Sequence, residues 1–440
     1  MITNETRCNS FYTILTGLFY YQPEKVDINA VNDILLPWKS RIDGGNFKDT
    51  FDYLNGSYYD SYVANIFPEA RKDYNEKSHF NKTILNHYTL KKCVNEAGNF
   101  RSSAVIVNEN HEFPVEIDFV DVYLFPHNMG IFSVKLSITQ NEYLTLGKVS
   151  DFLNKARMLQ TAFRIDGKQL TIKEFLSENL MKFSISKIDL EEYNPQYKLF
   201  INADLAEEFP QEKIDLLLFD IGCISPVGAA AGNGMFSPAP EYYNQIIKNN
   251  TIKVFRNWSA LSLYDTFTRI SCNFPDRFKS WETDYYNIYI YVLYMKFYVY
   301  HTNTKLSDVA ILDSKNKKTR DEFIEFINDY NHTQISYKFL PDVIKDKILA
   351  SLDVPHEIER MEVKVNRINS YFQEKRETQM NFVLTAITLL SIVSCVKDTS
   401  DWLVLMGASS NFIYPSFSLI MQFVIVIVLI AFIIFIRKRK

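Results

Sequence analysis

The residues best suited to binding a small ligand lie around a glycine-rich loop in the middle of the chain. Residues 225–240 read SPVGAAAGNGMFSPAP, in a chain that contains only 13 glycines. Small residues let backbone amides approach a phosphate closely, especially where a helix begins. Asp220, at the end of an apolar run that we interpret as a strand, suits a ribose hydroxyl or an amino group. The candidate ligand-binding residues of this segment are Asp220, Gly228, Gly232, Asn233 and Gly234. The alternative is a tight structural turn or a contact between subunits.

Four further residues are candidates for the same ligand site. Asn257 and Trp258 follow the loop and are predicted to stack on a base, although Trp258 also suits a hydrophobic core. Arg157 and Arg164 lie on a helix predicted over residues 147–165 and are candidate phosphate partners, with solvated surface as the alternative. The loop is not a Walker A sequence, because no Gly-Lys-Ser/Thr follows it.

The sequence shows no catalytic constellation. Its seven histidines are scattered without HExxH or metal-ligand spacing, and GxSxG is missing. The five cysteines are widely spaced with no CxxC pair, which is typical of reduced thiols. We therefore predict that the chain is not an enzyme and has no covalent cofactor, and we assign no metal ligands. A formal net charge of −4 gives no reason to predict binding to duplex nucleic acid.

The elements that must position these residues alternate between strands and helices. Two β-rich runs across a PHNMG turn predict a hairpin within residues 101–138, and YKLFINA and KIDLLLFDIG predict two further strands. Helices are predicted near 147–165 and 170–182, so the fold class is α/β or α+β for an N-terminal cytosolic domain. The apolar run FYTILTGLFYY is interpreted as core, and the tyrosine-rich run over 284–300 as a buried or interfacial element. From residue 257 on, the pattern is almost wholly helical.

Two apolar runs near the C-terminus predict membrane spans. They cover residues 380–396 and 415–436, and the second ends in RKRK. The positive-inside rule places this basic tail, and with it the large domain, in the cytosol. The predicted localisation is the inner (cytoplasmic) membrane, with the lipid bilayer as a partner and both termini cytosolic. The predicted organisation is a sensing domain (1–256), a helical cytosolic region (257–356), a stalk helix with the first span (357–396), an outer loop (397–414) and the second span with the basic tail (415–440).

A polar stripe follows the helix predicted over residues 357–396. An apolar heptad seam with spacings of three and four lies on the other side of this helix. The candidate pore-lining residues of the stripe are Glu374, Glu377, Asn381, Thr385, Thr388, Ser391 and Cys395. Because polar groups that face lipid lack partners, several copies of the helix are predicted to enclose a cation pore with acidic rings at its mouth. The alternative is that the hydroxyl groups bond to their own backbone or hold helix pairs together.

The arrangement over residues 336–440 resembles the CorA family of two-span cation channels. The resemblance is carried by VLTAITLLSIVSCV in the first predicted span and by the basic cluster from Arg437 to Lys440. It implies a homopentamer with an N-terminal α/β domain, a long stalk helix and two spans. The family's Gly-Met-Asn motif is replaced here by KDTSDWLVL. A branch without the standard filter accompanies type III CRISPR systems, and it implies an antiviral effector activated by a nucleotide second messenger, adenylated S-adenosylmethionine.

Three functions follow from these observations. The prediction is a ligand-gated homo-oligomeric cation channel of CorA-like architecture that binds a small nucleotide ligand. The first alternative is a constitutive transporter of a divalent cation such as magnesium. The second is a signalling or scaffold protein for which the two spans are a membrane anchor.

Overall fold

The computed structural model describes two compact units, Met1–Met361 and Glu362–Lys440. The described residues are 2–38, 66–67, 80–91, 102–108, 111–138, 144–165, 167–180, 196–232, 235–275, 279–307, 314–406 and 424. Asn233 and Gly234 of the predicted ligand loop lie outside these residues.

The first unit is built on one mixed sheet of twelve described strands. The strands are β1 (Cys8–Tyr20), β2 (Leu35–Pro37), β3 (Asn86–Leu90), β4 (Ser102–Asn108), β5 (His111–Phe125), β6 (Met129–Ile138), β7 (Ala162–Ile165), β8 (Lys168–Thr171), β9 (Lys198–Leu205), β10 (Thr251–Phe255), β11 (Trp258–Ser262) and β12 (Thr266–Cys272). Their order is β10-β11-β12-β9-β1-β6-β5-β4-β7-β8, with β3 paired to β5 and β2 to β3. β12 runs parallel to β9.

The apolar run near the N-terminus, which we interpret from the sequence as core, forms a central strand of this sheet. β1 pairs antiparallel with β6 on one side and with β9 on the other. Because neighbouring strands satisfy its backbone and helices cover both of its faces, side chains that point in opposite directions, such as Ile14 and Leu15, are both fully buried. The prediction that this run is part of the core is confirmed.

The predicted hairpin and the strand YKLFINA are also confirmed. β5 and β6 pair antiparallel, with Phe125 opposite Met129 across the turn. His127 and Asn128 in this turn have φ values of 64° and 66°, a left-handed conformation that Asn adopts more readily than most residues. YKLFINA corresponds to β9, whose side chains are all buried.

The run KIDLLLFDIG, predicted as a strand, forms a helix instead. Helix α4 (Gln211–Gly222) begins directly after Pro210. Its buried residues Ile214, Leu217, Leu218 and Ile221 repeat at helical spacing. A short apolar run fits either element, and in this case the period of 3.6 residues decides the outcome.

Nine α-helices are described in the two units. They are α1 (Ile28–Ile34), α2 (Leu146–Ala156), α3 (Ile172–Leu180), α4, α5 (Pro240–Asn250), α6 (Asp284–Ser307), α7 (Ser314–Tyr330), α8 (Phe339–Ser351) and α9 (Val354–Leu405). α2, α3 and α4 supply apolar side chains to a core on one face of the sheet. α6 covers the other face, where the Tyr286 hydroxyl lies 2.7 Å from Thr16 Oγ1. The tyrosine-rich run is therefore buried within the first unit, as predicted.

Strands β11 and β12 lie in the region over residues 257–356, for which an almost wholly helical structure was expected. Both strands join the sheet, β11 beside β10 and β12 beside β9. The two strands were missed because they are only five and seven residues long. Their side chains Trp258, Leu261 and Ile270 are buried.

The predicted two-span membrane architecture and the inner-membrane localisation are wrong for the described residues. No described helix combines the length and the apolar character that crossing a membrane requires. α9 does not end at residue 396 but continues through Lys397, Asp398 and Asp401 to Leu405. Polar residues also interrupt the apolar part of this helix. The observed fold is a domain built on a mixed α/β sheet, followed by a helical C-terminal region. The second predicted span lies, apart from residue 424, outside the described residues.

Candidate ligand-binding cleft

A polar cleft in the first unit is the strongest candidate for a ligand site. Its volume is ≈ 1120 Å³, and three segments of the chain line it: the residues that lead into β1, the first turns of α2, and the beginning of the glycine-rich loop. The lining residues are Asn4, Glu5, Cys8, Asn9, Leu144, Thr145, Gly147, Lys148, Ser150, Asp151, Asn154, Pro226 and Val227.

The floor of the cleft is formed where the N-terminal segment crosses the beginning of α2. The Gly147 amide donates to the Asn4 carbonyl at 2.9 Å, and the Leu146 amide donates to the Thr6 carbonyl at 2.9 Å. A Cβ at Gly147 would lie 3.1 Å from Asn4 Cβ, so glycine is what permits this approach. Thr145 caps the helix by accepting from the Lys148 amide. The crossing is therefore fixed by backbone bonds.

The wall of the cleft next to the glycine-rich loop is fixed through Ser150 and Asp220. The buried Ser150 hydroxyl donates to the Ser225 carbonyl at 3.3 Å. The Asp220 carboxylate accepts from the amides of Gly228 at 2.7 Å and Ala230 at 2.8 Å. Burial raises the pKa of Asp220 to about 6, although the two amide bonds act in the opposite direction. Asp220 therefore holds the loop in place rather than pointing at a ligand.

The functional groups around the cleft are of both signs. Glu5 and Asp151 line it and have no cationic partner among the described residues, while Lys148 supplies a positive charge. The Asn154 amide donates to the Ser150 carbonyl of its own helix at 3.3 Å. Burial, and next the Asp204 carboxylate, raise the pKa of the Cys8 thiol to about 12, so this thiol stays protonated at neutral pH. The cleft thus suits binding through charges and amides, not thiolate chemistry.

The residues predicted for the ligand site fall in several places. Gly228 has φ +88° and, like Gly232, is exposed in the loop. Asn257 is exposed in the turn between β10 and β11, and its carbonyl accepts from the Cys272 amide. Trp258 is buried and packs edge-to-face on Trp281, so it belongs to the core.

The two arginines predicted as phosphate partners differ in what their side chains contact: Arg164 has an ionic partner, whereas Arg157 Nε is buried without a hydrogen-bond partner among the described residues. Arg157 follows α2, and its carbonyl accepts from the Tyr197 amide at 2.9 Å. Arg164 lies on β7 and forms an ion pair with Glu112. Trp258 on β11 and Arg164 on β7 are seven strand positions apart in the sheet, which corresponds to roughly 33 Å at the usual spacing between strands. One small ligand cannot contact both.

The predicted pore-lining residues all lie on α9. The hydroxyl groups of Thr385, Thr388 and Ser391 donate to the carbonyls four residues before them, at 2.7, 2.8 and 3.0 Å. The stripe therefore does not require water or a second helix for these three groups, as the alternative interpretation supposed. Asn381 supplies one of these carbonyls, and Gln373 donates to Glu377.

No group of three or more His, Cys, Asp or Glu side chains in the described part of the chain is arranged to hold a metal ion. Comparison of the sequence with protein-family models finds no matching family, and comparison with curated proteins finds no match.

Sequence reasoning missed most of the cleft. It singled out the glycine-rich loop, of which Pro226 and Val227 reach the cleft, but neither α2 nor the N-terminal segment. No motif marks these residues, because the polar groups come from segments about 140 positions apart in the sequence. One local signal was available: Thr145 before an amphipathic run is a helix N-cap pattern.

Proposed function

We propose that this protein is a sensor of a small nucleotide-like ligand that carries both cationic and anionic groups. The polar cleft is the observation that supports the proposal. Its volume of ≈ 1120 Å³ slightly exceeds the roughly 300–1,000 Å³ of typical small-molecule sites, so it has room for a ligand of nucleotide size. It presents two carboxylates, one lysine and three asparagine side chains on rigid elements.

Each type of group has a counterpart on such a ligand. Glu5 and Asp151 suit amino groups or ribose hydroxyls, and Lys148 suits a phosphate. Asparagine side chains, which both donate and accept, suit the edge of a base. Adenylated S-adenosylmethionine, the ligand implied by the sequence resemblance, carries an ammonium, a sulfonium, a phosphate, ribose hydroxyls and adenine. It is therefore the first ligand to test.

On this proposal α9 is the output element. Lys296 of α6 pairs with Glu357 in the first turn of α9, at 2.6 Å, and Lys296 is almost completely buried. Ile358 and Met361 are also buried within the first unit. The beginning of the long helix is therefore packed within the first unit, which is the sensing unit on this proposal.

The predicted cation-channel activity, the homopentamer and the CorA resemblance stay predictions, as does the prediction that the chain is not an enzyme. The bonds of the stripe hydroxyls within α9 remove one reason for expecting a pore. A divalent-cation transporter is favoured by no observation in the described residues.

Isothermal titration calorimetry of the purified full chain tests the proposal. Adenylated S-adenosylmethionine, S-adenosylmethionine and ATP are titrated separately. We expect the adenylated compound to bind most tightly, and Asp151→Asn to weaken its binding about tenfold, because a hydrogen bond to a charged group contributes about 1.5–3 kcal/mol. Asp33→Asn is the matched control, since Asp33 is an exposed aspartate outside the cleft. Equal affinity of the two variants, or no binding of any of the three compounds, contradicts the proposal.

A further inference from the structure

Asn9, which lines the cleft, is the extra residue of a β-bulge. In the pairing of β1 with β9, Cys8 lies opposite Leu205 and Ser10 lies opposite Asp204, so the register shifts by one residue at Asn9. A bulge redirects a side chain that would otherwise alternate with its neighbours, and bulges are frequent next to functional sites. Here the bulge brings one side chain both to the cleft and to a buried carboxylate.

The buried carboxylate belongs to Asp204. The Asn9 side-chain amide donates to Asp204 Oδ2 at 3.0 Å and to the Leu205 carbonyl at 3.3 Å. The other oxygen, Asp204 Oδ1, accepts from the Ser271 hydroxyl at 2.6 Å and from the Phe274 amide at 2.8 Å. Asp204 is only 1% exposed. A single carboxylate thus joins the cleft to the turn that follows β12.

This turn is held from a second side by Arg269. The Arg269 guanidinium donates to the Phe274 carbonyl at 3.0 Å and to the Asn202 side chain at 2.9 Å. It lies 5.1 Å from the ring centre of Trp281. Trp281 in turn packs on Tyr285, in the first turn of α6, with ring centres 4.6 Å apart. The Phe274 amide therefore donates to Asp204, and the Phe274 carbonyl accepts from Arg269, which contacts Trp281 just before α6.

We propose that Asn9 is a positioning residue that couples the cleft to the beginning of α6 through Asp204. The inference rests on the proposed function and supplies the regulation of the same cleft. A ligand that displaces Asn9 changes the donors on Asp204 and thereby the hold on Phe274. Because Arg269 is bonded to this turn and lies over the Trp281 ring, which packs on Tyr285, the change reaches α6, which pairs with the first turn of α9. Buried charge-assisted hydrogen bonds make such a linkage strong over a short path.

Hydrogen exchange of the Phe274 amide in the ligand-free full chain tests the coupling. We expect Asn9→Ala to speed this exchange about tenfold, because Asp204 loses a donor that fixes its orientation. Asn154→Ala is the matched control, since Asn154 lines the same cleft but donates within its own helix. We expect exchange at Phe274 to be unchanged in the control. No acceleration with Asn9→Ala, or equal acceleration in both variants, overturns the proposal.

A double-mutant cycle between Asn9→Ala and Ser271→Ala provides a second measurement. Both side chains donate to Asp204, one to each oxygen of its carboxylate. The unfolding equilibrium constant of the double variant is expected to differ by about threefold or more from the value that additive effects would give, because both substitutions act on one carboxylate. Asn154→Ala combined with Ser271→Ala is expected to be additive, and additivity in both pairs overturns the coupling. Since neither measurement uses a ligand, failure here leaves the proposed binding intact, and a failed titration leaves the coupling intact.

Discussion

The two faces of the central sheet are buried by different chemistry. On the face covered by α2, α3 and α4, the strands present aliphatic and aromatic residues such as Leu15 and Phe132. On the face covered by α6, the alternate positions Thr16, Ser133 and Lys135 are polar and equally buried. A buried polar group needs a partner, whereas a buried methyl group needs only a neighbour. On the α6 face, the loss of stability caused by a substitution should therefore depend strongly on which hydrogen bond or ion pair the substitution removes.

The largest expected effect is at the ion cluster of the α6 face. Lys135 is buried with Glu282, which it contacts directly, and with Asp118 at 3.0 Å. The two carboxylates raise the pKa of Lys135, although desolvation of the buried ammonium, the largest single influence, acts in the opposite direction. Lys135→Met leaves both carboxylates without this partner and should reduce the free energy of unfolding in urea by about 3–5 kcal/mol.

Lys198→Met is the control for this effect. Lys198 is also buried and pairs with Asp265, but the Asp265 side chain is 62% exposed. Water can solvate the carboxylate that this substitution leaves behind, so we expect a clearly smaller loss. An equal loss for both variants would mean that the buried cluster has no special role on the α6 face.

Asp220 tests the apolar side of the comparison, since it is a buried carboxylate on α4. Its raised pKa, about 6, means that the native state binds a proton more tightly than the unfolded chain. The stability contributed by the protonated group is complete below the ordinary pKa near 4 and is lost as the pH rises through 6. Between pH 4 and 7.5 the loss is at most about 3 kcal/mol.

Thermal unfolding of the wild type and of Asp220→Asn at several pH values measures this contribution. Asn at this position does not titrate, so we expect the difference in melting temperature between the two proteins to change across pH 4 to 7. A difference that stays constant with pH would show that Asp220 keeps its ordinary pKa.

The smallest effect compares two tyrosines of α6. The Tyr286 hydroxyl lies 2.7 Å from Thr16 Oγ1 and 2.5 Å from Ser133 Oγ. The Tyr289 hydroxyl is buried without a hydrogen-bond partner among the described residues. Tyr286→Phe should reduce the free energy of unfolding by about 1–2 kcal/mol, whereas Tyr289→Phe should leave it unchanged or raise it slightly. If the two variants behave alike in urea unfolding, the polar pairing on this face does not contribute to stability.

The sheet could be predicted in part from the sequence. β5, β6 and β9 were found because long apolar or alternating runs between turn residues are typical of strands, whereas the run that forms β1 was interpreted only as core. α4 was read as a strand because its apolar run is short and fits both periods. The polar positions of the α6 face were not found, because Lys135 looks like a surface residue until Glu282 is brought to it.

The candidate site could be predicted even less. The glycine-rich loop was recognised as unusual, but its aspartate turned out to bind the loop's own amides. Asn9 reaches Asp204 through a bulge, which depends on pairing between strands far apart in sequence. The apolar run over 380–396 is long enough to suggest a span, yet no described helix meets the requirements of one. Length and mean composition are therefore weaker guides than the three-dimensional arrangement.

Hydrogen exchange of the full chain with and without adenylated S-adenosylmethionine tests most directly whether the cleft is the ligand site. If it is, residues 4–9 and 145–154 become protected when the ligand is present, and the turn at Phe274 changes with them. Protection confined to the loop residues 228–232, or protection of neither segment at a ligand concentration that saturates binding, would contradict the account.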